Sequence, residues 1–356
     1  MNKYDVNQTW QWNLQHAPAL PNAAATTAEP CLPGDWSWCG QPVNSPLGVP
    51  AGPLLDARWL LFYAHHGFDI LVYKTVRSVA TDCYPLPNLL PVNTAPLNTA
   101  GDVVPAAESM KGSWAVSFGM PSQSPDLWRA DVALARDRLP TGKVLVVSVV
   151  GTVKVNVTDS EAALDALADD FALCAAWAMN SGAHGIEANF SCPNVSTADG
   201  QLYQQPQAAG VVAERIRSRI GSMPLVLKIG RVNTVDEVTR LLHHVRPHIN
   251  GLAMTNSIAA KVSDANGTML FHGQPRGICG DAIRAASVSQ VELFRNVLRE
   301  SGATLDLIGV GGISTAEHVV EYLTAGATSV AAATAVMTNP DVGLAIRERF
   351  CDIYSL

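Results

Sequence analysis

The run Asn189-Phe190-Ser191-Cys192-Pro193-Asn194 carries the most chemistry in the chain, setting two amides five residues apart around one thiol on a loop that Pro193 restricts. Asparagine both donates and accepts, so a pair of them can clamp an amide- or carbonyl-bearing ring. A cysteine between them can take a proton from carbon, either as thiolate or in concert with the departure of a hydride. Two lysines, Lys74 and Lys228, close short apolar runs, and a lysine there is costly to bury unless it meets an anion or loses its proton. Lys228 is open to three readings: a Schiff-base nucleophile of an aldolase, a fixed positive charge beside a reduced anionic flavin, or a surface lysine whose stem alone is buried. Gly309-Val310-Gly311-Gly312-Ile313-Ser314 ends another apolar run and opens a helical pattern, with Thr334 after the next run. Glycines there let backbone N–H groups approach phosphate oxygens, although a plain tight turn would use the same residues.

These residues share one location once the elements are drawn. Short β-branched runs alternate with segments of helical apolar spacing from Asp35 onward, which is the βα signature. Strands are expected to end near Pro50 and Lys74 and to span 143–150, 185–189, 225–228, 251–255, 305–310 and 329–332. Helices are expected near 56–66, 126–138, 160–180, 207–219, 235–245, 287–300 and 315–324, the third opened by Asp159-Ser160-Glu161 as an N-cap. Eight strand-like runs, and no G-x-G-x-x-G after the first, favour an α/β fold of the closed (β/α)8 TIM-barrel type over an open doubly wound sheet. In such a barrel the chemistry sits at the C-terminal strand ends, where Lys74, Asn189–Asn194, Lys228, Thr255-Asn256-Ser257, Gly311-Gly312 and Ala333-Thr334 all fall. Residues 75–124 form a long connection rich in Pro, Asn, Ser and Gly, expected to lie as a loop region over that face. Trp36 and Trp38, two apart, read as one face of a short hairpin strand covering the barrel bottom.

Composition removes several classes. Lys plus Arg is 24 against 31 Asp plus Glu, a net charge of −7, so no basic excess is present to hold a nucleic-acid backbone. Apolar residues are 48% and charged ones 15%, which suits a large buried interior and is compatible with a homodimer. No apolar run approaches the roughly 18 residues of a membrane span, and the N-terminus lacks a signal core, so a cytoplasmic location is expected. Seven cysteines with no C-x-x-C pair argue against a disulfide framework, a zinc site or a cluster, and Cys174 and Cys351 read as small buried apolar residues. His243, His244 and His248 have metal-like spacing, but Pro247 interrupts them and no carboxylate cluster accompanies them, so no metal is expected.

From about Cys39 to its end the chain resembles the dihydroorotate dehydrogenase family, particularly its soluble class 1 members, and is also similar to the pyrimidine-oxidising barrel of dihydropyrimidine dehydrogenase. The resemblance rests on Pro50-Ala51-Gly52-Pro53, Lys74-Thr75, Tyr84-Pro85-Leu86-Pro87-Asn88, the Asn-x-Ser-Cys-Pro-Asn run, Lys228, Thr255-Asn256-Ser257, Gly277-Ile278-Cys279-Gly280, Gly311-Gly312 and Ala333-Thr334. It implies an FMN-dependent oxidoreductase that oxidises a CH–CH bond beside a carbonyl, with dihydroorotate as first substrate candidate and Cys192 as catalytic base. By motif, Ala51, Gly52, Lys74, Thr75, Asn189, Lys228, Gly280, Gly311, Gly312 and Thr334 would lie against FMN, while Asn189, Asn194, Asn256 and Ser257 would hold substrate. Residues 1–38 are read as an N-terminal arm and hairpin start, its stretch 17–34 extended or mobile, and 39–356 as the FMN-binding barrel.

Two departures stand out. Val116 occupies the place of the family's substrate-binding Asn before a Gly-x-Pro turn, and Ala333 the place of a usual Gly. An amide lost from a site built for hydrogen bonds changes discrimination by orders of magnitude. Trp114 and Phe118 could then form an apolar wall for a larger or less polar cyclic amide, which remains the alternative to dihydroorotate. A flavin-free lysine aldolase and a flavin-binding subunit without turnover are further alternatives. With no cluster-binding cysteines, reduction of NAD would need an electron-transfer partner chain.

Overall fold

A computed structural model describes residues 3–20, 32–152, 160–191 and 198–354. Helix α1 (Trp10–Gln15) opens at Thr9, whose side chain accepts from the Trp12 N–H. The hairpin β1 (Trp36–Trp38) and β2 (Gln41–Val43) pairs Trp36 with Val43. Next come β3 (Leu47–Val49), α2 (Ala57–Ala64) capped by Asp56, and β4 (Ile70–Val76). Three short strands follow: β5 (Leu89–Pro91), β6 (Val103–Pro105) and β7 (Ser113–Val116). The chain continues through α3 (Pro125–Arg138), β8 (Val144–Val149), α4 (Ser160–Asn180), β9 (Gly185–Asn189), α5 (Pro206–Ile220), β10 (Leu225–Lys228) and α6 (Val235–Val245). It closes with β11 (Gly251–Met254), β12 (Ile258–Ser263), β13 (Arg276–Gly280), α7 (Arg284–Glu300), β14 (Asp306–Val310), α8 (Ala316–Ala325), β15 (Ser329–Ala331), α9 (Thr334–Thr338) and α10 (Val342–Tyr354).

Eight parallel strands close in the order β10-β11-β14-β15-β3-β4-β8-β9, so the expected (β/α)8 barrel is the observed fold. The strands are buried along their whole length because helices cover them outside and side chains fill them inside, which explains their continuous apolar runs. Alternate residues point inward and stack in layers: Ile70, Val72, Val144, Val146, Val226, Ala253, Ile308, Val310 and Ala331 form the inner apolar cluster. Trp38 closes that cluster from the N-terminal end, as the spacing of the two tryptophans predicts. A Cβ added at Gly185 would come within 2.5 Å of its ring, so only glycine can start β9 here.

The connection after β4 differs from the sequence reading. β4 runs two residues past Lys74, and β5, β6 and β7 join β12 and β13 in a five-stranded sheet ordered β5-β7-β13-β12-β6. Strands of three or four residues hold too little alternation to be seen in sequence, and β6 and β7 pair with β12 and β13 more than 140 positions away, Trp114 in register with Cys279. Both segments leave the C-terminal ends of barrel strands, so this sheet stands over the mouth. Helix α7 also begins at Arg284, three residues before the expected start.

Of the expected arm, residues 21–31 lie outside the described residues. The preceding stretch is packed: Tyr4, Trp10 and Leu14 are buried in the main core, and the Asn13 amide donates to the carbonyls of Asp5 and Thr9. Trp59 Nε1 on α2 in turn donates to the Asn13 carbonyl at 3.2 Å. Cys174 is buried as expected, and its thiol is pushed up by burial. Cys351, in the last turn of the terminal helix α10, is only partly buried.

Candidate active site

The inward layers change character toward the C-terminal end. β4 places Ile70, Val72 and then Lys74 on its inner face; β8 places Val144, Val146 and then Ser148; β10 places Val226 and then Lys228. On β9 the inner positions are Glu187 and Asn189, and the register sets Asn189 beside Lys228 and Glu187 beside Val226. The apolar core thus ends in a ring of Lys74, Ser148, Asn189 and Lys228, all nine-tenths or more buried. An irregularity in the β4–β8 pairing after Tyr73 turns Thr75 to the same layer, where its hydroxyl lies 2.9 Å from that of Ser148.

Hydrogen bonds hold these groups in place. Lys228 Nζ donates to Glu187 Oε1 at 2.8 Å, with side chains 7% and 4% exposed. Asn189 Oδ1 accepts from the Ser191 N–H at 3.2 Å and its Nδ2 lies 3.5 Å from Met120 Sδ. Asn256, just after β11, donates from Nδ2 to the Ser191 carbonyl at 3.1 Å, so Asn189 and Asn256 meet at the start of the Asn-x-Ser-Cys-Pro-Asn loop. Cys192 and Asn194 themselves lie outside the described residues. Ser257 is 8% exposed, beside Thr255, whose hydroxyl donates to Gln290 Oε1.

A cavity of about 860 Å³ opens on this face, and among its lining residues are Gly280, Gly312, Ser314 and Thr334, with Trp114, Pro91, Met110 and the N-terminal residues Tyr4 and Val6. Gly280 and Gly312 have φ of 97° and 68°, and a Cβ at Gly280 would meet the Gly112 carbonyl at 2.1 Å. Gly311 also has positive φ and sits against Ser287, behind Gly312. Ala51 is buried after β3, the strand next to β15, and a Cβ on Gly52 would meet nothing within 4 Å, so bare backbone faces open space. A flat, phosphate-bearing cofactor fits this arrangement: a glycine turn after β14, Thr334 after β15 and open backbone after β3 lie side by side at the mouth, with buried lysines on β4 and β10.

Two further thiols border the site. Burial pushes Cys279 up to about 12, against the opposing pull of Lys228, and its Sγ lies 3.5 Å from the Asn256 carbonyl. Burial likewise lifts Cys83 to about 11 despite Lys74 and Asn88 nearby. Both are thiols at neutral pH. Val116 is half-buried in β7, pairing with Leu89 and Gly277; Trp114 lines the cavity, whereas Phe118 packs edge-on against Tyr4. Ser117, next to Val116, accepts through Oγ from Arg276 Nε at 2.9 Å.

Sequence reasoning passed over Glu187, Ser148, Arg276 and the N-terminal wall. Glu187 was detectable as a charged residue two positions before Asn189, and Ser148 as a polar residue following Val144 and Val146 on the inner face of β8. Arg276 and Tyr4 reach the site only through long-range packing and leave no local signal.

Fold and cavity define a TIM barrel whose C-terminal mouth carries glycine turns and buried lysines. Comparison with known proteins is more specific. The family model for dihydroorotate dehydrogenase matches residues 40–352. A dihydroorotate dehydrogenase of Dictyostelium discoideum is 30% identical over 362 aligned positions, covering 96% of this chain and 95% of that protein. The catalytic subunit of a Bacillus pumilus dihydroorotate dehydrogenase B (NAD(+)) is 30% identical over 44% of this chain and 49% of its own length. A crystal structure of DHODH in complex with ferulenol from Eimeria tenella superposes with a TM-score of 0.69 at 16% identity, covering 89% of this chain and 83% of that one, which speaks to the fold. The chain belongs to the dihydroorotate dehydrogenase family, flavin-dependent oxidoreductases that act on a CH–CH bond. No helix among the described residues is long and apolar enough to cross a membrane, and no group of three or more His, Cys, Asp or Glu among them could hold a metal ion.

Proposed function

We propose that this protein binds FMN and oxidises dihydroorotate to orotate. The observation that carries the reading is the ring of Lys74, Asn189 and Lys228 closing the apolar barrel interior at the same end of the barrel as the cavity that Gly280, Gly312 and Thr334 line. Ala51, Gly52, Lys74, Thr75, Asn189, Lys228, Gly280, Gly311, Gly312 and Thr334 would hold FMN, which when bound supplies the hydride acceptor. Lys74 and Lys228 bring positive charge to the place where negative charge develops. Asn189, Asn194, Asn256 and Ser257 would orient the substrate ring through its amides and carboxylate. Cys192 would remove the proton from the carbon next to the one that gives up the hydride, leaving a double bond conjugated to the carbonyl.

The geometry disfavours the aldolase. A Schiff-base lysine must present a free amine to a carbonyl, and Lys228 is engaged by a buried carboxylate instead. Electrons would leave through a soluble acceptor or, for NAD, through an electron-transfer partner chain, since this chain has no C-x-x-C pair of its own. The low charge fraction supports a homodimer, which sedimentation would test.

Dihydroorotate added anaerobically to purified protein is expected to bleach its visible flavin absorption. A flavin band that persists would exclude dihydroorotate and favour a second reading that Val116 and Trp114 support: a larger, less polar cyclic amide. Under that reading Trp114→Ala weakens substrate binding, and unchanged affinity would exclude it.

A further inference from the structure

Glu187 is an acidic residue set inside the apolar barrel, 3% exposed, among Trp38, Ile70, Val72, Val146 and Val226. Among the described residues its carboxylate has one hydrogen-bond partner, the Lys228 ammonium at 2.8 Å. The register puts Glu187 one layer below Lys228, so the carboxylate approaches from the core side and leaves the other side of the ammonium toward the mouth. A carboxylate buried in such a layer is costly and would not persist without its partner, and the lysine in turn is held at a defined height by it.

We infer that Glu187 is a positioning residue that sets the reduction potential of the bound flavin by cancelling part of the field of Lys228. The inference rests on the FMN reading above. A lone ammonium beside the ring would favour the anionic reduced form over the neutral oxidised form. A carboxylate 2.8 Å behind it makes the pair nearly neutral at a distance, so the preference is weaker and the enzyme keeps its electrons less tightly. The pair therefore balances two demands: taking a hydride from substrate and passing the electrons on.

The test is the ratio of FMN dissociation constants in the oxidised and reduced states, read directly and as a midpoint potential by dye equilibration at neutral pH. Glu187→Gln removes one negative charge and is expected to bind reduced FMN about tenfold more tightly relative to oxidised, a positive shift of about 30 mV for a two-electron couple. Lys228→Met is expected to shift the potential the other way. Glu187→Asp keeps the charge but withdraws it by one methylene, giving a smaller positive shift, and serves if the Gln variant does not fold. A potential in both Glu187 variants equal to or below that of the unaltered protein, with Lys228→Met still lowering it, would overturn the role of Glu187 while leaving the FMN reading intact. Failure of the unaltered protein to bind FMN at all would instead defeat that reading.

Discussion

The two ends of the barrel both bury charge, and they do so differently. At the N-terminal end Asp69 is fully enclosed: Oδ2 accepts from Ser45 Oγ and Arg347 NH2, each at 2.5 Å, and Oδ1 from Lys143 Nζ at 2.7 Å. The two cations also donate to the carbonyls of Gly67 and Phe68. That network ties β3, β4, β8 and α10 together and closes on itself. At the C-terminal end, among the described residues, Lys228 meets one carboxylate and Asn189 a backbone N–H and a sulfur, at the same end of the barrel as the cavity. The paired charges hold the barrel shut at one end, and the proposed ligand site lies at the other.

Substitutions at the two ends separate these roles. The largest effect belongs to the mouth: Cys192→Ala is expected to lower turnover of dihydroorotate by about 10²- to 10⁴-fold, the usual worth of a general base, with reduction of bound flavin followed by stopped flow. A loss below about tenfold would remove Cys192 from the base role. At the closed end, Asp69→Ala leaves Arg347 and Lys143 buried without their carboxylate and should cost about 3–5 kcal/mol in urea unfolding, while turnover per folded molecule stays the same. A cost under about 1 kcal/mol would show that the network relaxes into solvent.

The smallest effect is a pH dependence at the closed end. His184 precedes β9, its Nδ1 accepts from the Leu145 N–H at 2.9 Å, and burial, with Arg136 nearby, lowers its pKa below the usual value. The folded state therefore holds a neutral ring where the unfolded chain takes up a proton. The contribution is fully present above the unfolded value of about 6.5 and is lost as pH falls through it toward the folded value. His184 is about half-buried, so screening keeps the effect under about 1 kcal/mol. His184→Asn keeps an acceptor for Leu145 and removes the titration, so its unfolding midpoint should fall less between pH 7.5 and 5.5 than that of the unaltered protein. Equal slopes would assign the acid sensitivity elsewhere.

Much of the frame was written locally. The alternation of short β-branched runs with helical spacing gave the eight strands, because each buried parallel strand needs a continuous apolar stretch and each covering helix an apolar stripe. The placement of Asn189, Lys228, Asn256 and Gly312 at strand ends followed from those boundaries, whereas Lys74 lies two residues inside β4, and the motif order pointed to the family. The position of Trp38 followed from its spacing with Trp36. Tertiary structure alone decided the rest. β7 finds β13 across more than 140 residues, and no short-range pattern announces such a pair. Tyr4 reaches the cavity because α1 packs on α2, a contact between surfaces far apart in sequence. Glu187 and Lys228 are 41 residues apart, and their meeting depends on which strands neighbour each other and in what register. Sequence periodicity reports which face of an element is buried; only the closed barrel determines what each buried face meets.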